Sequence, residues 1–399
     1  MNDVPHERRD TAPAPERPTE EEPRVPPPRG DDAREPEPPT TAHAARHGAP
    51  THARPGSRPP GTRLPALVGA VVIAVACLAG LIFQMFQFAG HIRVFPWAAV
   101  LALAFAAATL AFGFWILRGI RPVRAPAPVP SAVAAVWGMT AATGAGIIAN
   151  GGLGAVWSKL LGLGVTGAWD AALTAPVNEE LLKLAGIVLV AVVFPRALRG
   201  PVDGFVLGAL VGLGFEVTEN LIYAFQSVTR SGATDPALAV ATTTIVRIGL
   251  TGLGSHWAMS AVAGTAVGLL AADRWRPDRR RAVLAALLVL LATGQHWLLD
   301  SPLFGEGIVA VLVKVTAVFA STMAVYVPVR HSYRRRMRRA LAVEGEAVGM
   351  RRPAAVALVT RHGRRRAVQD VALPEQPAVL DRQERMLTAA EDRVARDEA

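Results

Sequence analysis

The feature that most constrains this chain is a series of apolar runs, each about 20 residues long, a length that spans the hydrocarbon core of a bilayer. Hydrophobic residues make up 51% of the 399 residues. In lipid, a spanning run satisfies its backbone hydrogen bonds by forming a helix. The sequence therefore predicts an all-α polytopic membrane protein with about eight transmembrane helices. The predicted spans cover residues 66–88, 94–117, 132–156, 176–194, 202–226, 251–272, 282–300 and 306–329.

The two ends of the chain lack such runs. The first 60 residues hold 15 of the 31 prolines, interspersed with charged residues, and such a segment cannot bury enough apolar surface to fold. We therefore predict a disordered tail at 1–62, a transmembrane domain at 63–330 and a basic, mostly disordered tail at 331–399. Within the last segment we expect a short helix in 380–396.

Arginine marks alternate loops between the predicted spans. By the positive-inside rule these loops face the cytoplasm, so both termini are predicted to be cytoplasmic. The opposite loops contain little positive charge, from Arg93, Lys159 and Arg230. The arginine-rich loops contain Arg118, Arg121, Arg124, Arg196, Arg199, Arg274, Arg276, Arg279, Arg280, Arg281, Arg330, Arg334, Arg335, Arg336, Arg338 and Arg339.

The net charge of +10 has an explanation at the membrane. Arginine beside spans contacts anionic lipid, so we expect anionic lipid at the basic loops and no nucleic-acid partner. The bias toward Ala, Arg, Gly and Pro is typical of a GC-rich bacterial genome, which indicates a bacterial cell membrane. The single cysteine, Cys77, excludes a disulfide framework and a cysteine-based zinc site.

A small set of ionisable side chains interrupts the predicted spans. A charged group in hydrocarbon costs about 3 kcal/mol on insertion scales, so such residues indicate a functional site by default. In the predicted orientation the groups on four separate spans lie in the same outer part of the bilayer, which predicts one shared site. This outer set contains Glu179, Glu180, Lys183, Glu216, Glu219, His256, His296 and Asp300.

Helical spacing places several of these side chains on common faces. Lys183 follows Glu180 and Glu179 by three and four residues, so it can neutralise one carboxylate on the same face. His296 and Asp300 are also four residues apart, so the aspartate can orient the imidazole.

Small residues on the fifth span predict close helix packing. Gly204, Gly208 and Gly212 share one face, and Glu219 falls within the same arc, so it points at a neighbouring helix rather than at lipid. A similar stripe on the sixth span consists of His256, Ser260, Gly264 and Gly268.

Structural roles are the alternative for some of these residues. Glu179 and Glu180 can be a capping pair at the membrane interface, with Asn178 as the N-cap, since acidic residues favour a helix N-terminus. Lys314 in the last span and Arg247 are expected to snorkel or to pair with a carboxylate rather than to act chemically.

Four motifs in order, each on a separate span, resemble the PrsW family of intramembrane proteases, within the CAAX-protease and bacteriocin-processing superfamily. The resemblance covers roughly residues 64–330, and the four motifs together are more specific than any one alone. They are E-E-x-x-K at Glu179, Glu180 and Lys183, F-x-x-x-E-N at Phe215, Glu219 and Asn220, His256 after Arg247 across a Gly-rich stretch, and H-x-x-x-D at His296 and Asp300.

The resemblance implies that the transmembrane domain hydrolyses a peptide bond of a membrane-protein substrate on the outer side of the bilayer. In the family these substrates include membrane-anchored anti-sigma factors, which are cut in regulated proteolysis. Glu179 would act as the water-activating residue with Glu180 supporting it, and His296 and Asp300 match the element that polarises the scissile carbonyl.

The sequence leaves two kinds of site open. The CAAX relatives have a histidine where this chain has Glu219, so His256 is the residue here that can share the water with Glu179. Glu219, His256 and His296 also form the ligand set of a catalytic Zn²⁺ with an open position, although the H-E-x-x-H signature is absent. The alternative is a metal-free site in which a buried glutamate is the base.

A polytopic transporter or metal-ion carrier that uses the same Glu and His residues is the second function class. Carriers often show internal repeats with paired broken helices. The sequence shows no such repeat, and its polar groups lie at one depth without forming a track across the bilayer. These two features favour the protease.

Overall fold

The computed structural model describes residues 63–272, 275–305, 307–369 and 371–398. Within these residues every regular element is helical and there is no strand, which confirms the prediction of an all-α protein. The predicted disordered tail at 1–62 lies outside the described residues.

The helices follow one another with short connections. In chain order they are α1 (Arg63–Val94), α2 (Pro96–Gly119), α3 (Pro128–Trp137), α4 (Thr143–Leu161), α5 (Leu163–Val193), α6 (Pro201–Arg230), α7 (Pro236–Leu250), α8 (His256–Ala272), α9 (Arg279–Asp300), α10 (Ile308–Ala347), α11 (Arg352–Ala357), α12 (Arg361–Gln369) and α13 (Gln376–Glu398). A π-helical segment, Gly138–Ala142, joins α3 and α4 into one continuous helix.

By length and composition alone, six helices in the described part of the chain can cross a membrane: α1, α2, the joined α3 and α4, α6, α9 and α10. The other two predicted spans correspond to α5, which has charged residues in its interior, and to α8, which is 17 residues long. The predicted count of eight spans is therefore approximate. The start of α5 at Leu163 was also missed, because residues 163–175 are less apolar than the run that follows them.

Helix α6 is the central helix and packs backbone to backbone against α8. A Cβ atom at Gly204 would lie 2.1 Å from the carbonyl oxygen of Gly264, and one at Gly208 would lie 2.0 Å from that of Ser260. Any side chain at either glycine would push the two helices apart, so the predicted close packing is confirmed. Because α6 and α8 approach this closely, polar residues at their ends can come into direct contact.

The C-terminal segment differs from the predicted mostly disordered tail at 331–399, because its described residues are largely helical. Helix α10 continues past the predicted span to Ala347, and α11 and α13 pack along this extension. Apolar residues on α13 recur at helical spacing and are buried against Met337 and Leu341 of α10. These α13 residues are Met386, Leu387, Ala390 and Val394.

A group of buried charged residues forms ion pairs between α13 and the loops that precede α3 and α6. Glu391 Oε1 lies 2.9 Å from Arg121 Nη1, and Glu391 Oε2 lies 2.9 Å from Arg199 Nη2 and pairs with Arg124. Arg121 Nε also lies 2.7 Å from Oδ1 of Asp203 in the first turn of α6. Burial by itself raises the pKa of Glu391, but Arg121 and Arg124 outweigh it and hold that pKa at about 2. We call these five residues the Glu391 cluster.

Candidate active site

Four helices bring the predicted site residues together. Helix α5 supplies Glu179, Glu180 and Lys183, α6 supplies Glu219, α8 supplies His256, and α9 supplies His296 and Asp300. We call these seven residues the site cluster. These residues lie in mutual contact, as their shared depth predicts, whereas their chemical roles remain predictions.

The three residues of α5 lie in the interior of a long helix. Lys183 Nζ lies 2.9 Å from Glu180 Oε1 and 3.4 Å from Glu179 Oε2, so the lysine contacts both carboxylates as their spacing predicts. The capping interpretation is wrong, because α5 begins at Leu163 and Asn178 lies about four turns inside the helix. A buried carboxylate pair within a helix requires another explanation.

His296 lies between the two glutamates. Its Nδ1 lies 3.0 Å from Glu180 Oε1, and its Nε2 lies 3.6 Å from Glu179 Oε2 and 3.4 Å from Asp300 Oδ2. The aspartate faces the imidazole as predicted, but Glu180 makes the closer contact. Glu180 therefore fixes the ring, and the second ring nitrogen points toward Glu179.

His256 has a carboxylate on one ring nitrogen and an ammonium on the other. Its Nε2 lies 2.9 Å from Glu219 Oε2, and its Nδ1 lies 3.0 Å from Lys183 Nζ. An ammonium can only donate, so Nδ1 accepts and the Nε2 proton is donated to Glu219. The ring centroids of His256 and His296 are 5.0 Å apart, and the ring of Phe215 packs on His256 and under Lys183.

Glu219 connects the site cluster to α7. Arg247 Nη2 lies 2.7 Å from Glu219 Oε2, Arg247 Nε donates to Asn220 Oδ1 at 2.6 Å, and the guanidinium stacks on the ring of Tyr223. The expectation that Arg247 pairs with a carboxylate is confirmed. Since Glu219 Oε2 is held by both Arg247 and His256, its position is fixed at the edge of the cluster.

The group best placed to hold a metal ion differs from the predicted set of Glu219, His256 and His296. In the described part of the chain, Glu179, His256 and His296 offer one ligand atom each, and these atoms all lie within 4.8 Å of one another. Glu179 takes the place expected for Glu219, because Arg247 and His256 already engage the oxygen of Glu219 that faces inward. Periodicity predicted the face on which Glu219 lies but not its partners.

Asn150, which the sequence motifs did not include, contacts Glu179, and Asn178 in turn contacts Asn150. Asn150 of α4 donates from Nδ2 to Glu179 Oε1 at 2.8 Å, and Asn178 donates from Nδ2 to Asn150 Oδ1 at 3.2 Å. The available signal was a carboxamide inside the third predicted span, which is uncommon in an apolar helix. The site therefore includes a fifth helix, α4.

Two further buried charged residues of the predicted spans, Lys314 and Glu216, lie outside the site cluster. Lys314 donates to the carbonyl oxygens of Leu299 and Ser301 at the end of α9, a favourable place for a cation, rather than to a carboxylate. Glu216 is buried on α6, and its Oε2 lacks a hydrogen-bond partner among the described residues.

Negative charge exceeds positive charge around the site cluster. The four carboxylates of the cluster face two permanent cations, Lys183 and Arg247. Glu180 is 1% exposed, and its Oε2 has no hydrogen-bond partner in the described part of the chain. Unpaired negative charge is costly in a low-dielectric interior, so the site suits a further cation or a proton.

Comparison with known proteins gives one match. A family model described as PrsW family intramembrane metalloprotease matches residues 128–329, just over half of the chain and all four helices of the site cluster. No curated protein and no solved structure matches the chain.

Proposed function

Since the chain belongs to the PrsW family of intramembrane metalloproteases, we propose that the site cluster is the centre at which it hydrolyses a peptide bond of a membrane-protein substrate. The observation that supports this best is the convergence of Glu179, His256 and His296 from three helices into one buried group. Buried ionisable residues on separate membrane helices indicate a functional site, and this set matches the ligands of a hydrolytic zinc centre.

Each histidine of the group is oriented by a carboxylate. Glu180 holds Nδ1 of His296, and Glu219 holds Nε2 of His256. In both cases the other ring nitrogen faces the centre of the cluster, within reach of Glu179 Oε2 or Lys183 Nζ. Carboxylate–histidine pairs of this kind fix the tautomer and direction of a metal-binding imidazole.

The donor set therefore fits Zn²⁺, with Glu179, His256 and His296 as the residues that would hold it. A bound zinc would supply a Lewis acid and lower the pKa of a bound water. The excess of carboxylates and the unpaired Oε2 of Glu180 agree with a further cation at this place. Lys183 Nζ contacts His256 Nδ1 in the structure, so the lysine side chain has to move aside for a ligand at that nitrogen.

In the metal-free alternative, in which Glu179 is not a ligand, it is the residue that we assign to the attacking water. Its Oε1 is held by Asn150, whereas its Oε2 faces Lys183 and His296 in the interior of the cluster. A carboxylate in this position can orient the water and accept its proton. Asp300, which is partly exposed beside His296, is assigned to the substrate side of the site.

The predicted topology supports a cut on the outer side of the membrane. The arginine-rich loops before α3 and α6 lie at the ends of α3 and α6 remote from the site cluster, and by the positive-inside rule they are cytoplasmic. We therefore propose a bacterial cell membrane location with both termini inside and anionic lipid at the basic loops. The proposed substrate class is a membrane-anchored protein such as an anti-sigma factor.

The proposal is tested by replacing Glu179 with Gln and His296 with Ala in cells and comparing the membrane proteome with wild type. We expect one or more membrane proteins to accumulate uncut in both variants, with the cut near the outer face. Glu346→Gln, an exposed glutamate on α10, is the matched control and should leave cleavage unchanged. Unchanged cleavage in both site variants would remove the protease assignment, and altered metal uptake instead would favour a carrier.

Metal dependence has its own test in the purified full chain. Exhaustive chelation should abolish cleavage, and added Zn²⁺ should restore it. Full activity after chelation would contradict the zinc site and select the metal-free alternative, in which Glu179 alone is the base.

A further inference from the structure

We propose that Asn150 is a positioning residue for Glu179, and that the π-helical segment Gly138–Ala142 exists to aim Asn150 at it. The inference rests on the proposed function, because it assigns a partner to the glutamate at the centre of that site. Asn150 belongs to α4, which contributes none of the four motifs of the sequence analysis.

The amide of Asn150 distinguishes the two oxygens of Glu179. Nδ2 donates to Oε1 at 2.8 Å, which leaves Oε2 to face Lys183 Nζ at 3.4 Å and His296 Nε2 at 3.6 Å. A carboxylate with one anchored oxygen cannot rotate its second oxygen out of the cluster without breaking that bond. Asn150 thus fixes which oxygen reaches the reacting centre.

Asn178 fixes the orientation of the Asn150 amide. It donates from Nδ2 to Asn150 Oδ1 at 3.2 Å, one residue before Glu179 on α5. If the Asn150 amide were flipped, its oxygen would face the Glu179 carboxylate and its NH₂ group would face another NH₂ group, so both contacts would be repulsive. The chain Asn178–Asn150–Glu179 therefore has one favourable arrangement.

The π-helical segment sets the direction in which Asn150 points. A single π-turn adds one residue to a helix, which rotates everything after it by about 100°. Asn150 lies about two turns after the segment. Without the added residue, the side chain at position 150 would be rotated by about 100° from the direction in which it meets Glu179.

Side chains of two other helices satisfy the backbone of the π-helical segment. Gln84 of α1 donates from Nε2 to the carbonyl oxygens of Met139 and Thr140, each at 3.1 Å, and Thr218 of α6 donates to Met139 at 2.8 Å. Gln84 is 3% exposed and Thr218 is 4% exposed. A buried glutamine and threonine directed at these carbonyls make the distortion a built feature of the fold.

The small residue Gly146 lets α4 approach the glutamate. A Cβ atom at this position would already lie 3.6 Å from Cγ of Glu179 and 3.7 Å from the ring of Phe215. A larger side chain would fill the space between α4 and Glu179. The positions 146 and 150 are four residues apart and so share one helix face, the face that α4 presents to Glu179.

The test uses Asn150→Leu in the purified full chain, with a synthetic peptide spanning the bond that wild type cuts and Glu179→Gln leaves uncut. Leucine keeps the approximate shape and suits an apolar helix, so folding is not the expected point of failure. We expect kcat to fall about 10–100-fold with KM within about twofold, and the dissociation constant for Zn²⁺ alone to rise by a similar factor. Asn150→Gln, which keeps the amide donor, should recover part of kcat.

Two controls separate this inference from the proposed function. Gln226→Leu removes a carboxamide near the C-terminal end of α6, where Gln226 contacts Arg230, and should change neither kcat nor Zn²⁺ binding. If Glu179→Gln abolishes cleavage while Asn150→Leu retains wild-type kcat and Zn²⁺ affinity, the positioning role is overturned and the proposed function stands. If Glu179→Gln itself still cleaves, the proposed function fails first.

Discussion

Two buried charge clusters in this protein are built in opposite ways. In the Glu391 cluster, three arginines face two carboxylates, both oxygens of Glu391 are engaged, and the side chain of Glu391 is 2% exposed. In the site cluster, four carboxylates face Lys183 and Arg247, and Oε2 of Glu180 is buried without a partner in the described part of the chain.

The difference separates a structural role from a chemical one. A buried charge set whose oxygens are all engaged by cations has little capacity left for a ligand, so it is expected to contribute to folding and position. A buried set with surplus carboxylates and two oriented histidines can accept a cation, a proton or a substrate. The comparison predicts that changes in the site cluster affect cleavage more than stability, and that changes in the Glu391 cluster do the reverse.

The largest expected effect comes from His296. His296→Gln keeps a polar side chain of similar size but removes the ring nitrogen that faces Glu179, and we expect cleavage to fall by about 10³-fold. The measurement is kcat/KM in reconstituted vesicles on the synthetic peptide that spans the bond cut by wild type, with the melting temperature taken on the same sample. Cleavage within about tenfold of wild type would remove His296 from the reacting centre.

Glu391→Gln should have the largest effect on stability. The change removes the buried carboxylate that Arg121, Arg124 and Arg199 share, and breaking a buried pair in this way costs about 3 kcal/mol. We expect α13 to open, measured by hydrogen exchange of its amides, while cleavage falls less than about tenfold. Glu384→Gln is the matched control, because Glu384 also pairs with Arg124 but its side chain is 63% exposed.

The stability of the contact between Glu391 and its arginines depends on pH, because the pKa of Glu391 is lowered from 4.5 to about 2 in the folded protein. A lowered folded pKa means that the carboxylate contributes its full stability above pH 4.5 and loses it as the pH falls from 4.5 toward 2. Hydrogen exchange of α13, corrected for intrinsic rates, should accelerate over this window in wild type. The same acceleration in Glu391→Gln would show that another group is responsible.

The smallest expected effect is at an exposed pair on the same helix. Arg385 pairs with Asp381 four residues earlier, with side chains 67% and 62% exposed. Arg385→Ala should change the free energy of unfolding by less than about 0.5 kcal/mol, because water screens such a pair. A loss comparable to that of Glu391→Gln would contradict the argument that burial sets the difference.

Much of the fold could be predicted from the sequence, because apolar runs of bilayer length leave few choices of structure. Gly204, Gly208 and Gly212 on one face of α6 also predicted its close packing, since only small residues allow two backbones to touch. The short helix expected in 380–396 lies within α13, whereas the extension of α10 to Ala347 and helices α11 and α12 were missed. The packing of α13 was also missed, because high local charge obscured the apolar stripe of Met386, Leu387, Ala390 and Val394 that packs on α10.

The sequence predicted which residues form the site more fully than it predicted the contacts between them. The motif spacing identified Glu179, His256 and His296 as site residues. Helical periodicity, however, predicts only the face on which a side chain lies, and not the tilt of the helix or the residues that the side chain contacts. For that reason Glu219 was assigned to the metal in place of Glu179. Residue spacing could not identify Asn150 as a site residue, because the direction of its side chain depends on a π-helical turn. No residue pattern in the span predicts that turn.

The most direct measurement compares Glu179→Gln with Glu391→Gln on one reconstituted preparation each, with cleavage and thermal unfolding recorded on the same sample. Glu179→Gln should lose cleavage by about 10³-fold and unfold within a few degrees of wild type, whereas Glu391→Gln should unfold earlier and keep its cleavage within about tenfold of wild type. Retained cleavage in Glu179→Gln would contradict the assignment of the site cluster as the reacting centre.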